Sequence, residues 1–538
     1  MATQAMLLLL IFLAQVSFTH GALSDATFKC SSTSIDKPQL STADILSLEA
    51  SPVYNYTAFS LGPGTNEGGS YTINFCNVTM SYTHVGWNDT ITTQVWLPLT
   101  DWNGKFQALG GGGYSSGFGS TYLTYAVANG FATVSTDGGH ATGTSTIPTD
   151  LTWALASKGN IDWVLLEDYA SKATVEMAPI GKQIIESYFD QAANYSYFNG
   201  CSGGGRQGLM LAQRYPEAFD GILAISPAIN LERFIPAGFW ASQVMNQIKS
   251  YPHPCEIEAF TKAAIKICDH LDGVKDNIIS FPKLCTVNAH AFVGEPYTCN
   301  GTERRLSALG AKVVQAAWTG PPGRYGWYGL SKDASLTSYY ITTECSSNGT
   351  CYASDSDLLD SWITYLVTKE PQFSSKNMTD STFFDALHYS SVEYASMLGT
   401  RDADLSNFKA AGGKMITWHG LADEVIPPEG TTSYYEEVLE QDPRAKDYFR
   451  YFEAPGVGHC YGGVGPIPND AFSQLMQWVE DGIPPDTLEA TNGEGGWERP
   501  LCPYPSQQQY TGGDPSNASS FSCSEDHQRT MVPLLGDL

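Results

Sequence analysis

Short apolar runs, separated by turns and by stretches of helical periodicity, recur along most of this chain. Residues 22 to about 90 instead alternate apolar and polar side chains, as single-faced strands do. Seven later runs predict buried strands: 92–97, 105–109, 131–135, 195–199, 221–226, 414–418 and 448–452. Helices are predicted at 162–189, with an interruption near Pro179, at 205–215, and repeatedly across 229–405. Strands alternating with helices in this way predict a mostly parallel α/β sheet.

The sequence Gly200-Cys201-Ser202-Gly203-Gly204 fits the G-x-S-x-G pattern of a nucleophile elbow. A predicted strand precedes it and a predicted helix follows it, which is the context the pattern requires. Its glycines have a physical reason, because side chains beside a strained turn would clash. Glycine is abundant here, with 52 residues, so a glycine-rich surface turn is the alternative. The flanking elements favour Ser202 as a nucleophile.

Two later strand ends carry the matching acid and base. Asp423 follows the run 414–418, and His459 follows the run 448–452. Singly, Asp423 could be a turn aspartate and His459 a buried structural histidine. Together with Ser202 they stand in the order Ser, Asp, His, which is the order of the α/β-hydrolase fold. We therefore predict that fold, with a triad of Ser202, Asp423 and His459.

Backbone amides for an oxyanion hole are predicted at two places. One is Gly203, directly after the nucleophile, at the start of a helix. The other is Gly112 in the glycine run 110–113, which follows an early predicted strand. A merely flexible loop remains an equal alternative for that run. His140 also ends a strand, where a histidine is more often structural than catalytic.

The stretch between Ser202 and Asp423 is much longer than this fold needs, so it predicts an inserted lid. The domain prediction is a signal peptide at 1–21, a hydrolase domain at 22–228 and 406–538, and a lid at 229–405. The apolar segment 6–16, followed by Thr19 and Gly21, carries the signal prediction, although no Lys or Arg precedes it. No later segment is apolar enough to span a membrane.

Composition supports a secreted protein. A formal net charge of −27 disfavours nucleic acid and anionic membrane surfaces as partners. The chain carries eight N-x-S/T acceptor sites for glycans, which are Asn55, Asn77, Asn88, Asn194, Asn300, Asn348, Asn377 and Asn517.

Twelve cysteines in a secreted chain predict disulfide bonds. Cys201 precedes the nucleophile and Cys460 follows the histidine, so if Ser202 meets His459 their neighbours are also close. A Cys201–Cys460 bond would then clamp base to nucleophile. A thiolate nucleophile at Cys201 is disfavoured, because the elbow points residue 202 outward. Other predicted pairs are Cys30–Cys76, Cys268–Cys285 and Cys502–Cys523, while Cys255, Cys299, Cys345 and Cys351 stay unassigned.

The segment 268–278 places three carboxylates around a glycine turn. Such a density of hard oxygen ligands suits calcium, although the spacing is not that of an EF-hand. A solvated acidic turn is the alternative reading of the residues alone.

Several of these motifs together resemble the fungal tannase/feruloyl esterase family. They are residues 200–205, residues 419–423, residues 458–460 and the early residues 136–140. The resemblance covers nearly the whole mature chain, and cysteines beside both serine and histidine make it specific. It implies an α/β-hydrolase with a large lid, the triad above and its clamping disulfide. It also implies a structural calcium in the lid, held by carboxylates of Asp269, Asp272 and Asp276 and carbonyls of Val274 and Ile278.

The implied reaction is hydrolysis of aromatic carboxylic esters through an acyl-enzyme. Feruloylated cell-wall polysaccharides are the favoured substrates and gallate esters, cleaved by tannases, the alternative. Arg304-Arg305 could be a processing site, though a dibasic pair is more often a helix surface. A serine peptidase and a non-catalytic binding protein are alternatives from other classes. No organic cofactor is expected, because the run 110–113 lacks the G-x-G-x-x-G pattern. Oligomeric state, including a homodimer, stays open.

Overall fold

The computed structural model describes residues 29–65, 68–140, 149–347, 349–492 and 496–525. Within them the chain builds a nine-stranded central sheet in the order β1-β2-β3-β5-β4-β6-β7-β8-β9. These strands are β1 Ala43–Leu61, β2 Gly68–His84, β3 Ile91–Pro98, β4 Lys105–Leu109, β5 Ala132–Thr136, β6 Tyr195–Cys201, β7 Gly221–Ile225, β8 Lys414–Gly420 and β9 Phe449–Ala454.

The sheet changes from antiparallel to parallel along its width. Neighbours from β1 through β3 to β5 are antiparallel. Neighbours from β5 through β4 to β9 are parallel. The carboxyl ends of the parallel strands therefore meet at one edge, where the predicted site residues follow β6, β8 and β9.

Helices cover both faces of the sheet, because the parallel strands are apolar on both sides. The α-helices are α1 Ser120–Ala128, α2 Trp163–Glu167, α3 Ala173–Phe189, α4 Gly203–Arg214, α5 Leu231–Gly238, α6 Trp240–Ile248, α7 Pro254–Cys268, α8 Ala308–Thr319, α9 Asp357–Ser361, α10 Asp380–Leu398, α11 Ser406–Ala410, α12 Glu429–Gln441 and α13 Ala471–Asp481. One core joins α3, α4 and α12 to one face. A second core joins α1 and α13 to the other. The α/β-hydrolase prediction is confirmed.

The predicted helix 162–189 is wrong in one detail. Pro179 lies inside α3 without interrupting it. The irregularity is a π-helical segment at Asp168–Lys172, between α2 and α3. Proline removes a single amide donor, and the buried residues Met177, Ile180 and Ile184 keep this helix packed on the sheet.

Between β7 and β8 the described chain adds no strand to the central sheet. Residues 229–405 form helices α5 to α10 and two short hairpins, Pro296–Cys299 with Thr302–Arg305 and Thr343–Cys345 with Cys351–Ala353. Arg304 and Arg305 are exposed on a hairpin strand, so the helix-surface reading of that pair is wrong. The domain boundaries themselves stay predictions.

Small hairpins complete the fold. They pair Leu155–Ser157 with Asn160–Ile161, Leu488–Asn492 with Trp497–Leu501, and Gln507–Tyr510 with Phe521–Ser524. No helix in the described ranges is long and apolar enough to cross a membrane.

All four predicted disulfides are present, with Cα–Cα distances of 5.5–5.9 Å. The four unassigned cysteines pair as Cys255–Cys299 and Cys345–Cys351. Of the predicted glycan acceptors, Asn77 is half-buried. Six are exposed: Asn55, Asn88, Asn194, Asn300, Asn377 and Asn517. The predicted signal peptide 1–21 and the predicted acceptor Asn348 lie outside the described residues.

Candidate active site

Ser202 stands on a strained turn between β6 and α4. Its backbone has φ 63° and ψ −120°, a combination rare for residues other than glycine. The Ser202 amide donates to the Ile225 carbonyl at 3.0 Å, which fixes the turn to β7. A Cβ at Gly200 would lie 2.7 Å from the carbonyl carbon of Gly204, so no larger residue fits there. Within the described residues the Ser202 hydroxyl has no hydrogen-bond partner, and it is half-buried.

Asp423 and His459, the predicted acid and base of the triad, are hydrogen-bonded to each other. The Nδ1 atom of His459 lies 2.8 Å from Oδ2 of Asp423. Asp423 is fully buried, and its Oδ1 accepts hydrogen bonds from the amides of Val425 and Ile426, each at 2.8 Å. The carboxylate is therefore held in a single orientation, facing the histidine.

His419 is a second histidine on the same carboxylate, and sequence reasoning assigned it no role. Its Nε2 lies 3.0 Å from Oδ2 of Asp423, and its Nδ1 lies 2.8 Å from the Thr431 hydroxyl. Because a carboxylate only accepts, His419 carries its proton on Nε2, and Thr431 donates to Nδ1. The position of His419 near the end of β8 could have indicated this contact, since a buried polar side chain there needs a hydrogen-bond partner.

The electrostatics of the pair oppose the effect of burial. Burial alone would raise the pKa of Asp423, but the charge of His459 and the hydrogen bonds from both histidines hold that pKa well below its usual range. For His459, burial would lower the pKa, but the charge and hydrogen bond of Asp423 raise it above the ordinary value. The pair thus favours ionised Asp423 and a more basic His459.

The two predicted oxyanion donors lie side by side. A Cβ at Gly203 would lie 3.2 Å from Cα of Gly112. Amides of the neighbouring glycines are already used: Gly111 donates to Gln207 Oε1, and Gly204 donates to the Gly111 carbonyl, each at 3.0 Å. These bonds fix the glycine run against α4, which disfavours the alternative of a merely flexible loop.

The Cys201–Cys460 bond ties the nucleophile loop to the histidine loop. Its Cα atoms are 5.9 Å apart and it joins segments 259 residues apart in sequence. The residues that it links directly precede Ser202 and follow His459. The bond limits how far the two loops can separate.

His140 supports the glycine run and lies outside the acid–base pair. Its ring nitrogens face the carbonyls of Gly138, at 3.0 Å, and Tyr114, at 2.9 Å, and its ring stacks on Trp153. Burial lowers its pKa. These contacts favour the structural reading of His140.

The insertion contacts both loops of the site. Tyr340 donates to the Val425 carbonyl at 3.2 Å, beside Asp423. The Tyr114 hydroxyl, next to the glycine run, donates to the Leu358 carbonyl at 2.6 Å. Burial, and then the negative charge of Glu424, raise the pKa of Tyr339 in the insertion. Insertion residues thus border the site, as a lid does.

The predicted calcium residues lie in one compact turn. Asp269 accepts from the amides of Asp276 and Asn277, and Asp272 accepts from the Val274 amide and the Ser280 hydroxyl. Burial and the negative charge of Asp272 raise the pKa of Asp276 to about 6. Burial raises the pKa of Asp272 as well, with a contribution from the charge of Asp269. Carboxylate oxygens of this kind suit calcium, which would relieve their repulsion. The Arg499 guanidinium, 3.4 Å from Oδ2 of Asp276, already supplies one positive charge there, so calcium at this turn stays a prediction.

Comparison with known proteins agrees with this geometry. Residues 76–524 match the family described as "Tannase and feruloyl esterase". A "Probable feruloyl esterase" of Arthroderma benhamiae is 36% identical over 540 residues, which cover 98% of this chain and 99% of that protein. A "Tannase" of Aspergillus oryzae is 28% identical over 553 residues, covering 89% of this chain and 88% of that protein.

Two solved structures share the whole fold. "Tannin acyl hydrolase from Aspergillus niger" matches with a TM-score of 0.81 and 28% identity, covering 93% of this chain and 94% of that one. Feruloyl esterase B from Aspergillus oryzae matches with a TM-score of 0.74 and 25% identity, covering 90% of this chain and 97% of that one.

The sheet order and these neighbours define an α/β-hydrolase. Within that class, the chain belongs to the tannase and feruloyl esterase family. It is a carboxylic ester hydrolase.

Proposed function

We propose that this chain is a secreted serine esterase that hydrolyses hydroxycinnamate esters of plant cell-wall polysaccharides. The observation that carries the proposal is the 2.8 Å Asp423–His459 pair, tied by Cys201–Cys460 to a strained Ser202. In an ester hydrolase, such an arrangement supports nucleophilic catalysis through an acyl-enzyme.

Each group has one role in the proposed reaction. His459 donates through Nδ1 to Asp423, which leaves Nε2 as the base for the Ser202 proton. Ser202 Oγ attacks the ester carbonyl, and the amides of Gly203 and Gly112 stabilise the oxyanion, a donor being worth about 3–4 kcal/mol. The bond to the alcohol then breaks, and His459 returns the proton to that alcohol. Water attacks the acyl-enzyme in the same way and releases the acid.

The acid is proposed from the relatives and from the side chains near the pair. The probable feruloyl esterase aligns along nearly the whole of both chains. Tyr339 from the insertion lies near Glu424, Asp423 and Tyr461 of the histidine loop, and Tyr461 is exposed. Aromatic side chains at this position suit a flat phenolic acid.

Tannase activity on gallate esters is the second candidate. The observation in its favour is the tannin acyl hydrolase structure, whose TM-score of 0.81 exceeds the 0.74 of feruloyl esterase B. Both candidates use the same Ser202 chemistry and differ only in the acid that the site accepts.

An assay of free acid distinguishes feruloyl esterase from tannase activity. Its substrates are the methyl esters of ferulate, caffeate, p-coumarate and gallate. Ser202→Ala serves as the blank in every assay. We expect cleavage of the three cinnamates and little cleavage of gallate. Cleavage of gallate alone would replace the feruloyl proposal with the tannase one, and undiminished activity in Ser202→Ala would refute both.

Secretion and calcium belong to the same proposal. Six disulfides, exposed glycan acceptors and the segment 1–21 support export. When expressed in a eukaryotic host, the protein should be secreted into the medium with an N-terminus directly after Gly21. Treatment with a glycosidase should lower its mass. Retention of residues 1–21 in the mature chain would contradict this. Calcium held by Asp269, Asp272 and Asp276 would brace the insertion and take no part in the reaction.

A further inference from the structure

A buried cluster of one histidine and three carboxylates lies outside the proposed site. His84 is the last residue of β2, Asp89 lies in the turn that follows, Asp168 begins the π-helical segment, and Glu176 lies on α3. All four are buried, with Asp168 fully so. Three acids around one imidazole in a protein core need compensation, either by a proton on one carboxyl group or by a bound cation.

His84 links two of these acids. Its Nδ1 lies 2.6 Å from Oδ2 of Asp89, and its Nε2 lies 2.9 Å from Oε1 of Glu176. The other oxygens of both acids are already hydrogen-bonded: Thr83 donates to Asp89 at 2.9 Å, and Tyr82 donates to Glu176 at 2.8 Å. These bonds hold the acids in fixed orientations around the imidazole.

Asp168 is the member that the protein leaves without a donor. Neither of its oxygens has a hydrogen-bond partner among the described residues, and neither reaches solvent. Its Oδ1 lies 3.7 Å from Nδ1 of His84, beyond hydrogen-bond range. Asp168 is thus a fully buried carboxylate with two free oxygens, and it faces a histidine and a second carboxylate. Such an arrangement suits a metal ion, which accepts electron pairs from these atoms.

We propose that His84, Asp89 and Asp168 bind a divalent transition-metal ion such as Zn²⁺ or Mn²⁺. One ligand atom from each residue lies within 4.8 Å of the others. Bonds of about 2.0–2.2 Å to a shared ion would place such atoms about 3 to 4.4 Å apart. Binding would therefore draw Asp168 towards the ion and open the 2.6 Å contact between His84 and Asp89 by several tenths of an ångström. One nitrogen with carboxylate oxygens favours these ions over calcium, which takes oxygen ligands alone.

The surrounding bonds match those of known metal sites. A metal-bound histidine usually donates its other ring N–H to a carboxylate, and here Nε2 of His84 faces Glu176. The ion would replace the proton between His84 and Asp89, and its two charges would balance Asp89 and Asp168. Glu176 would accept from His84 and Tyr82 without binding the ion.

The site would fasten the N-terminal hairpin to the scaffold behind the nucleophile. The segment that Asp168 begins also provides the carbonyls of Tyr169 and Ala170, which accept from the Arg206 guanidinium at 3.3 and 3.0 Å. Arg206 lies on α4, the helix that begins directly after Ser202. An ion at this place is structural and takes no part in the reaction.

The test is elemental analysis of the full chain, purified without chelator and then incubated with Zn²⁺ or Mn²⁺ and desalted. We expect one bound ion per chain in the parent. Asp168→Asn should lose that ion and show a lower Tm. Glu167→Gln, a change at the neighbouring acid, should keep the bound ion and the Tm of the parent. Asp276→Asn at the proposed calcium turn should also keep the transition metal, which distinguishes the two sites.

A parent chain that binds no transition metal would overturn the proposal. So would an Asp168→Asn variant as stable as the parent, because that result means Asp168 carries a proton, which an amide can mimic. If Asp168→Asn does not fold, Co²⁺ added to the chelator-treated parent gives the answer. Visible absorption of bound Co²⁺ that is abolished by added Zn²⁺ supports the site, and absence of such absorption refutes it.

Discussion

At the proposed site, individual residues combine an unfavourable contribution to stability with a role in the proposed chemistry. Ser202 has a backbone conformation that suits glycine, yet the proposed chemistry needs its hydroxyl. Asp423 is fully buried yet stays ionised, because four donors surround it. Residues whose stability and function conflict in this way mark functional sites.

The strain at Ser202 predicts a separation of stability from activity. Both Ser202→Ala and Ser202→Gly remove the nucleophile, so neither should hydrolyse esters. Glycine accepts φ 63° without strain, so Ser202→Gly should exceed Ser202→Ala in free energy of unfolding by about 1 kcal/mol. Urea denaturation of the two variants checks this, and equal stability would mean that the turn is unstrained.

The raised pKa of His459 predicts the pH dependence of the reaction. Neutral His459 is required as the base, so kcat/KM should rise with pH through a pKa above the ordinary histidine value of about 6.5. Asp423→Asn removes the charge that raises this pKa and leaves burial to lower it. That variant should move the acid limb to lower pH and reduce kcat by about 10⁴-fold.

The pKa shifts of Asp423 and His459 also determine how the stability of the fold changes with pH. Ionised Asp423, with its lowered pKa, stabilises the fold above the usual carboxyl range, and this contribution is lost as pH falls through the folded-state pKa. Protonated His459, with its raised pKa, stabilises the fold at low pH, and this contribution is lost as pH rises through its folded-state value. For the pH profile of kcat/KM, an acid limb in Asp423→Asn at the same pH as in the parent, or at a higher pH, would show that Asp423 does not raise the pKa of His459.

At the scale of elements, the strand ends are where sequence and structure agree best. The runs before Ser202, Asp423 and His459 are short and mostly apolar or aromatic, so their strands could be placed within a few residues. The π-helical segment at Asp168–Lys172 left no such signal, because its causes are contacts to distant residues such as Arg206. His419 was visible in sequence, but its bond to Asp423 depends on side-chain directions that a pattern does not give.

The disulfide between the two site loops predicts a positional effect on catalysis. Replacing Cys201 and Cys460 by alanine removes the link between the loops and should lower kcat together with Tm, a native disulfide being worth about 2–4 kcal/mol. The matched control replaces Cys345 and Cys351, which close a short hairpin in the insertion. That pair should leave kcat unchanged. Equal kcat in the parent and both variants would show that Cys201–Cys460 has no role in positioning.

The acidic turn at 269–278 predicts a stability effect without a catalytic one. Burial and the negative charge of Asp272 raise the pKa of Asp276 to about 6, so its ionisation destabilises the fold as pH rises towards neutrality. Calcium relieves that repulsion, so added calcium should raise Tm more at pH 7 than at pH 5. Asp276→Asn should lose most of this response while keeping kcat at low temperature. A calcium-independent Tm in the parent would remove the calcium proposal.

At the scale of the whole molecule, the fold class followed from the alternation of strands and helices, and the site followed from residue order. The helices of the insertion could be predicted by periodicity. Their packing could not, because it depends on contacts such as that of Tyr340 with Val425, between segments far apart in sequence. The buried cluster around Asp168 joins residues 84–89 to residues 168–176 in the same way, and no local pattern marks it.

Covalent labelling with a fluorophosphonate, followed by peptide mass spectrometry, tests directly whether Ser202 is the nucleophile. We expect a single adduct on Ser202, formed more slowly when methyl ferulate is present, with ester hydrolysis lost in proportion to labelling. The Asp423→Asn variant should label far more slowly, because its His459 is a weaker base. An adduct on another residue, or full ester hydrolysis in a completely labelled chain, would contradict the assignment of Ser202 as the nucleophile.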